Sequence, residues 1–321
     1  MMFTKGGQSP FFHVIILAMM EEGLYFFEFF TENMVKGIRV GELLYQGKTR
    51  YQFIQIFSNA FLGKVLFLDK KIQSAQIDEH IYHESLVHPG LMAHPNPEEV
   101  LIIGGGEGAT LREVLRHKPV RNVTMVDIDE ELVRLCQKHL PEWSEGAFTH
   151  PKTQMIFEDA RHFVEKGEEK YDVIISDLTE PLKEGPSLYL FTREFFEHVF
   201  HGLKEDGLFV LQAGSTDPLY HEFFASCART LSDVFPLVRP YWSFIFSFGL
   251  PWGFVVASKK EDPLELDEKK IMQRLKERGI RNLKYYHPPL HKGFFALPLY
   301  LTEGMKKGRV LTDSDPFVWK L

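Results

Sequence analysis

Cysteine is scarce in this 321-residue chain. Cys136 and Cys227 are the only two, without the number or spacing of a disulfide framework, a redox motif or a cysteine metal site. A reducing, cytoplasmic setting is the expectation that follows. Apolar runs of membrane-spanning length are missing as well. Residues 11–20 (FFHVIILAMM) resemble the apolar centre of a secretory leader, but they are far too short to cross a bilayer and no small-residue cleavage site follows them. Residues 1–19 are therefore expected to be an upstream extension or a mobile tail, with the chain proper opening at Met20. There is also no surplus of positive charge. Lys and Arg number 37 against 44 Asp and Glu, a formal net charge of −7, which speaks against a nucleic-acid partner and suits a small cationic ligand. Internal repeats and low-complexity segments do not occur, so a solenoid or a disordered tract is not expected.

What is present is an ordinary globular composition, 44% hydrophobic and 25% charged, with an unusual 29 phenylalanines that favour an aromatic-rich core or an apolar cleft. Residues 20–77 hold short β-prone runs, divided by turn signals at Gly47-Lys48, Ser58-Asn59 and Asp69-Lys70. They predict a small, mostly antiparallel β domain. Residues 78–94 read as a helix capped by Asp78, with apolar positions at Ile81, Leu86 and Met92. From Glu99 onward apolar strands alternate with helices, the rhythm of an α/β doubly wound sheet within a domain spanning 78–321. YWSFIFS and WGFVVASK have no helix between them and predict an antiparallel pair at one side. A helix over 267–278 and a tail close the chain.

Chemistry concentrates at strand ends. Gly104, Gly105, Gly106 and Gly108 lie where VLIIG meets its helix, the place for a tight turn and for close approach of an adenosyl ligand. Asp127 follows 21 residues past Gly106, at the end of the second strand, where a carboxylate accepts ribose hydroxyls. Gly104-x-Gly106-x-x-Ala109 also satisfies the dinucleotide pattern, so an NAD dehydrogenase stays open on spacing alone. Glu107 discriminates: inside the loop it would repel a pyrophosphate but not a cationic sulfonium. Its alternative role is a surface charge favoured by the helix dipole. Asp177 and Glu180, in ISDLTEP, end the fourth alternating strand and add acidity that would attract an amine; the plainer alternative is that they cap a turn. His83-Glu84-x-x-x-His88 misses the metalloprotease spacing by one residue and places its histidines roughly 140° apart on a helix, so no metal site is expected.

The segments YQFIQIF, LFLDKKIQSAQIDEHIYHE, LIIGGGEGATLREVLRH, MVDIDEEL, FEDARHF and DLTEP, in this order, carry a resemblance to the polyamine aminopropyltransferases, the spermidine synthase family, from about Gly23 onward. That resemblance implies an N-terminal β domain on a Rossmann-like, methyltransferase-type domain. It implies decarboxylated S-adenosylmethionine as co-substrate, with no prosthetic group or metal. Gln52, Gln73, Gly104, Gly106, Glu107, Gly108, Asp127 and Asp159 would hold it, Asp127 at the ribose, Asp159 at the adenine edge and Glu107 at the aminopropyl ammonium. Asp177 would be the catalytic acid–base with Tyr82 beside it, and Tyr82, His83, Asp177, Glu180, Gln212 and Trp252 would receive the amine acceptor. A homodimer or homotetramer is implied too, without nucleic-acid or membrane partners. The chain departs from the family's putrescine-type pattern: Asp177-Leu-Thr-Glu180-Pro181 replaces D-S-S-D-P, the loop acid is Glu, and the late tyrosine is missing from residues 245–252. In these features it is similar to the thermospermine synthases and to thermophile enzymes that accept agmatine or triamines. Spermidine or agmatine is therefore the expected acceptor, with putrescine the alternative. A methyltransferase and a non-catalytic polyamine-binding protein are the competing classes.

Overall fold

The computed structural model describes residues 23–31, 34–167 and 170–319; the expected extension, residues 1–19, lies outside the described residues. The β-prone runs form two small antiparallel sheets. Strands β1 (Leu24–Thr31) and β2 (Met34–Val40) pair with each other, and β3 (Leu43–Lys48), β4 (Phe53–Asn59), β5 (Gly63–Leu68) and β6 (Lys71–Ala75) form a meander. The Asp69-Lys70 turn has both residues at positive φ, 46° and 70°, as a two-residue hairpin requires. Gly47-Lys48 is not a turn. Both residues stay in β3, paired with Ile54 and Phe53, and the chain reverses over residues 49–52, where Thr49 Oγ1 accepts the Tyr51 and Gln52 amides.

The alternating segments build one seven-stranded sheet from β7 (Glu99–Gly104), β8 (Asn122–Asp127), β9 (Thr153–Phe157), β10 (Tyr171–Asp177), β11 (Leu203–Ser215), β12 (Leu237–Ile245) and β13 (Leu250–Ser258). Their order is β12-β13-β11-β10-β7-β8-β9. The five strands from β11 to β9 are parallel, and β12 and β13 form the expected antiparallel side. Helices α1 (Glu79–Ala93), α2 (Ala109–Leu115), α3 (Glu130–His139), α4 (Pro141–Ser144), α5 (Ala160–Lys166), α6 (Arg193–Gly202), α7 (Glu222–Ser232), α8 (Glu268–Glu277), α9 (Pro288–Phe294) and α10 (Leu299–Met305) cover it. This is a Rossmann-like, methyltransferase-type α/β fold with a small N-terminal antiparallel part. No helix among the described residues is long and apolar enough to cross a membrane.

Residue alternation along β7 explains the two layers. Val100 and Ile102 join the core that holds α1, α2 and α8, while Leu101 and Ile103 join the core of α5, α6 and α7. The second core takes Phe195, Phe196, Phe209, Phe223 and Phe224, each contributing about 1.5–3 kcal/mol when buried. In a third cluster Ile54, Ile56, Leu66 and Leu68 of the small sheet pack on Ala109, Leu132 and Trp143, and Trp143 Nε1 donates to Ser74 Oγ at 2.6 Å. The small sheet is thereby held over the loop after β7.

Helix α1 differs most from expectation. It is buried almost all round, and Glu79, His83, Glu84 and His88 are as enclosed as Leu86 and Met92. Asp78 does not cap it; Asp78 Oδ2 accepts the Ser247 amide at 2.7 Å instead. Pro89 and Gly90 are poor helix formers placed mid-helix. Close packing explains Gly90, since a Cβ there would lie 2.3 Å from Val210 Cγ2 of β11.

Candidate active site

Strands β7 and β10 are neighbours, but the chain runs outward from β7 to β8 and β9 before returning to β10. Ligands of open α/β sheets bind at such a switch point, beyond the carboxyl ends of the strands. A cleft of about 1000 Å³ opens there. Gly104 and Gly105 turn the chain with φ of 79° and 78°, and a Cβ on Gly104 would stand 2.3 Å from the Asp177 carbonyl oxygen. Only glycine permits that approach. The Gly105 amide donates to the same carbonyl at 2.9 Å, so the glycine loop and the end of β10 are bound together. Gly108, also at positive φ, faces the other way. A Cβ on it would meet Phe148 and Ser144 at 2.6 and 2.7 Å, and it does not line the cleft, contrary to the ligand-binding place expected for it.

Asp177 is the last residue of β10. Its Oδ1 accepts the Tyr82 hydroxyl at 2.7 Å and its Oδ2 the Thr110 hydroxyl at 2.6 Å, which fixes the carboxylate plane. Burial and the Asp177 charge push the Tyr82 phenol well above its usual range, so it remains a donor. Thr110 was not anticipated; its signal is a hydroxyl in the first turn of the helix that the glycine loop opens. Asp127, at the end of β8, accepts the Asp129 amide at 2.8 Å, and burial raises its pKa to about 7. Burial likewise raises Glu107 and Glu180. Asp159 caps α5 by accepting the Arg161 amide at 2.8 Å. Gln52 and Gln73 reach in from the small sheet, and Gln52 Nε2 donates to Asp129 Oδ2 at 2.8 Å.

The lining therefore holds Glu107, Asp127, Asp159, Asp177 and Glu180, with no lysine, arginine or histidine among the described residues. A pyrophosphate would meet only like charge here, whereas a cation would meet a ready set of partners. That counts against the dinucleotide reading of the glycine pattern.

Two expected acceptor residues are placed differently. His83 is 1% exposed and lies behind the wall, its Nε2 2.7 Å from Glu107 Oε1 and its Nδ1 3.0 Å from Glu79 Oε2. Gln212 lines the cleft, but its amide oxygen is doubly engaged and its nitrogen is tied to the backbone. Its oxygen accepts Trp252 Nε1 at 3.1 Å and the Gly214 amide at 3.0 Å, and its nitrogen donates to the Leu178 carbonyl. It braces the turn after Asp177 and ties down Trp252, whose ring forms an edge-to-face pair with Phe248 at a centroid distance of 4.9 Å.

A second cavity of about 820 Å³ shares Gln73, Thr179, Glu180, Phe248 and Trp252 with the cleft and extends past Glu180. Sequence reasoning missed its further walls, Glu28, Lys71, Asp217, Tyr220 and Trp319. Asp217 accepts the Ser215 hydroxyl at 2.5 Å and the Leu219 and Tyr220 amides at 2.7 and 3.1 Å, while Glu28 pairs with Lys36 at 2.8 Å. At the opposite end of the sheet His94, Asp172 and Asp206 come within metal-ligand spacing of one another. His94 Nδ1 accepts the Asn96 amide there, which leaves the proton on Nε2, and the Lys204 ammonium sits 3.0 Å from Asp172. Both features oppose a bound cation.

Fold and cleft together define a Rossmann-like protein with an acidic cleft at the switch point of its sheet. Comparison with known proteins agrees. Residues 79–270 match the spermine/spermidine synthase domain, and residues 24–76 match the spermidine synthase tetramerisation domain. The chain is 46% identical over 271 residues to polyamine aminopropyltransferase 2 of Hyperthermus butylicus, covering 84% of this chain and 88% of that protein. It is 39% identical over 299 residues to the polyamine aminopropyltransferase of Sulfurisphaera tokodaii, covering 92% and 98%. A spermidine synthase in complex with the transition-state analogue AdoDATO superposes with a TM-score of 0.82 at 35% identity, covering 88% of this chain and 95% of that one. The chain belongs to the spermine/spermidine synthase family. It is an enzyme of the aminopropyltransferase class.

Proposed function

We propose that the enzyme moves the aminopropyl group of decarboxylated S-adenosylmethionine onto a linear amine longer than a diamine, spermidine or agmatine, releasing methylthioadenosine. The observation that carries this reading is the second cavity, which continues the acidic cleft past Glu180 between aromatic walls and buried carboxylates. A long, flexible polycation suits such a channel, its charges facing acids and aromatic faces and its methylenes facing apolar side chains. In this reading Gln52, Gln73, Gly104, Gly106 and Asp159 frame the nucleoside, Asp127 receives the ribose and Glu107 the aminopropyl ammonium. Glu180 and Trp252 flank the acceptor.

The acceptor nitrogen attacks the propyl carbon next to sulfur. As the C–N bond forms, the C–S bond breaks and its electron pair neutralises the sulfonium, giving a thioether. The proton displaced from nitrogen passes to Asp177, whose lone pairs are aimed by Tyr82 and Thr110. A free amine titrates near pH 10, but desolvation and the adjacent sulfonium lower that value. Holding nitrogen, carbon and sulfur in line supplies much of the acceleration. The match of residues 24–76 to a tetramerisation domain supports a homo-oligomer, with residues 20–77 as its β unit and 78–321 as the catalytic unit. Scarce cysteine supports a cytoplasmic setting.

The test is to incubate enzyme and decarboxylated co-substrate with putrescine, agmatine, spermidine and norspermidine separately, and to identify products by mass and chromatography. Turnover should be fastest with spermidine or agmatine. Fastest turnover with putrescine would refute the long acceptor, and no methylthioadenosine with any amine would refute the transfer itself.

A further inference from the structure

Glu107 is held from behind by a side chain the cleft never touches. His83 lies between two carboxylates: Nε2 is 2.7 Å from Glu107 Oε1, and Nδ1 is 2.6 Å from the Glu79 carbonyl and 3.0 Å from Glu79 Oε2. Nδ1 has its acceptor in Glu79, and the Glu107 carboxylate at ion-pair distance from Nε2 favours a second proton there. Burial opposes that charge, but the two carboxylates outweigh it and lift the His83 pKa to about 10. Glu79 is anchored in turn by Arg112 Nη2 at 2.8 Å, and Arg112 by Glu113 at 2.9 Å and the Trp143 carbonyl at 2.6 Å. The row Glu107–His83–Glu79–Arg112–Glu113 thus alternates in sign from the cleft wall into the core.

We propose that His83 is a positioning residue, a fixed imidazolium that keeps Glu107 ionised and turned so that its second oxygen receives the ammonium of the decarboxylated co-substrate. This rests on the reading of Glu107 given above. His83 occupies Oε1 and leaves Oε2 for a ligand on a residue that lines the cleft. Glu107 faces Asp177 at the end of β10, Tyr82, His83 and Glu79 on α1, and Cys136 on α3. Of these only His83 is a cation. Without it, a carboxylate only 9% exposed and facing Asp177 and Glu79 would take up a proton more readily and lose its hold on an ammonium.

The test compares wild type and His83→Gln in the full-length enzyme, by calorimetry between about pH 6 and pH 8.5, with two ligands. Decarboxylated S-adenosylmethionine carries the ammonium; methylthioadenosine lacks it and reports the fold and the nucleoside site alone. The variant should bind decarboxylated co-substrate about tenfold more weakly at low pH, the equivalent of one lost charge interaction, with the gap narrowing as pH rises. Methylthioadenosine should bind both proteins alike at every pH, and in turnover the loss should fall on KM for the co-substrate. Equal co-substrate affinity across the range, or parallel loss of both ligands, would overturn the proposal. Glu79→Gln provides a second variant, should His83→Gln fail to fold, with a smaller effect in the same direction expected; wild-type co-substrate binding by it at low pH would count against the relay. Glu107→Gln separates the layers: if it binds the co-substrate like wild type, the reading of Glu107 itself is wrong, whereas a defect there with none in His83→Gln removes only the positioning role.

Discussion

The two sides of the wall formed by α1 and the glycine loop are both rich in buried acids, yet they hold them in opposite ways. On the cleft side Asp127 has no basic neighbour among the described lining residues and Glu180 has only Lys71 of the adjoining cavity, and burial drives both upward, Asp127 to about 7. On the inner side Glu79 and Glu113 are at least as enclosed, but burial is outweighed by His83 and Arg112 at Glu79 and by His88, Arg112 and Arg116 at Glu113. Both fall to about 2. Burial alone does not decide whether a carboxylate is charged; the counter-ion does. The inner acids have theirs built in and serve the fold. Among the described residues, the cleft acids other than Glu107, which His83 holds, have no such ion-pair partner, and a ligand must satisfy them.

Exchanging the two roles should expose the difference. Asp177→Asn should cut turnover by about 10²–10⁴, typical of a lost general base, with methylthioadenosine affinity retained and Tm unchanged or raised because one like charge has gone. Near-wild-type turnover would remove Asp177 from the proton path. Arg112→Met should do the reverse, costing about 3–5 kcal/mol in denaturant or thermal unfolding by stranding Glu79 and Glu113. Loss of activity without loss of stability would contradict the division.

Acidity separates the sides next. The native pKa values of Glu79 and Glu113 are depressed, so their stabilisation is full above the unfolded value near 4.5 and disappears as pH falls through about 2. Asp127 responds far higher. Below about 7 it gains a proton and stops being a full acceptor for ribose hydroxyls, so methylthioadenosine affinity should fall between about pH 8 and pH 6, by up to about tenfold per unit. A flat affinity profile would show that Asp127 does not meet the ribose. The smallest effect concerns Lys71, a cation in the second cavity near Glu28 and Glu180, whose own pKa burial lowers. Lys71→Met should reduce KM for a triamine by up to about fivefold while leaving a diamine less affected. A rise for both would mean that Lys71 organises the cavity instead.

Much of this architecture was legible because its signals are local. Apolar runs ending in Gly104, Asp127 and Asp177 mark buried parallel strands and their ligand-facing ends, and the glycine loop marks the switch point. What escaped is set by tertiary neighbours. Nothing in EHIYHESLVH says that the polar face of α1 is enclosed, because the covering elements come from residues far along the chain: Arg112 and Glu113 on α2, and the Lys284–Tyr286 amides that donate to Glu84. Glycine spacing could not tell Gly106, 2.9 Å from Asp127 at its would-be Cβ, from Gly108, turned against Phe148. The engaged amide of Gln212 and the bond from Thr110 to Asp177 likewise join strands and helices that sequence distance keeps apart.

The absence of basic side chains from the cleft lining, among the described residues, also bears on how a catalytic cycle ends. In the proposed reaction the nucleoside enters with a sulfonium and an ammonium and leaves with neither, since one charge is quenched at sulfur and the other departs with the lengthened amine. The acids that gathered the nucleoside then have nothing cationic on it to grip. Turnover itself weakens the enzyme's hold on its spent donor, and a fresh, doubly charged one displaces it.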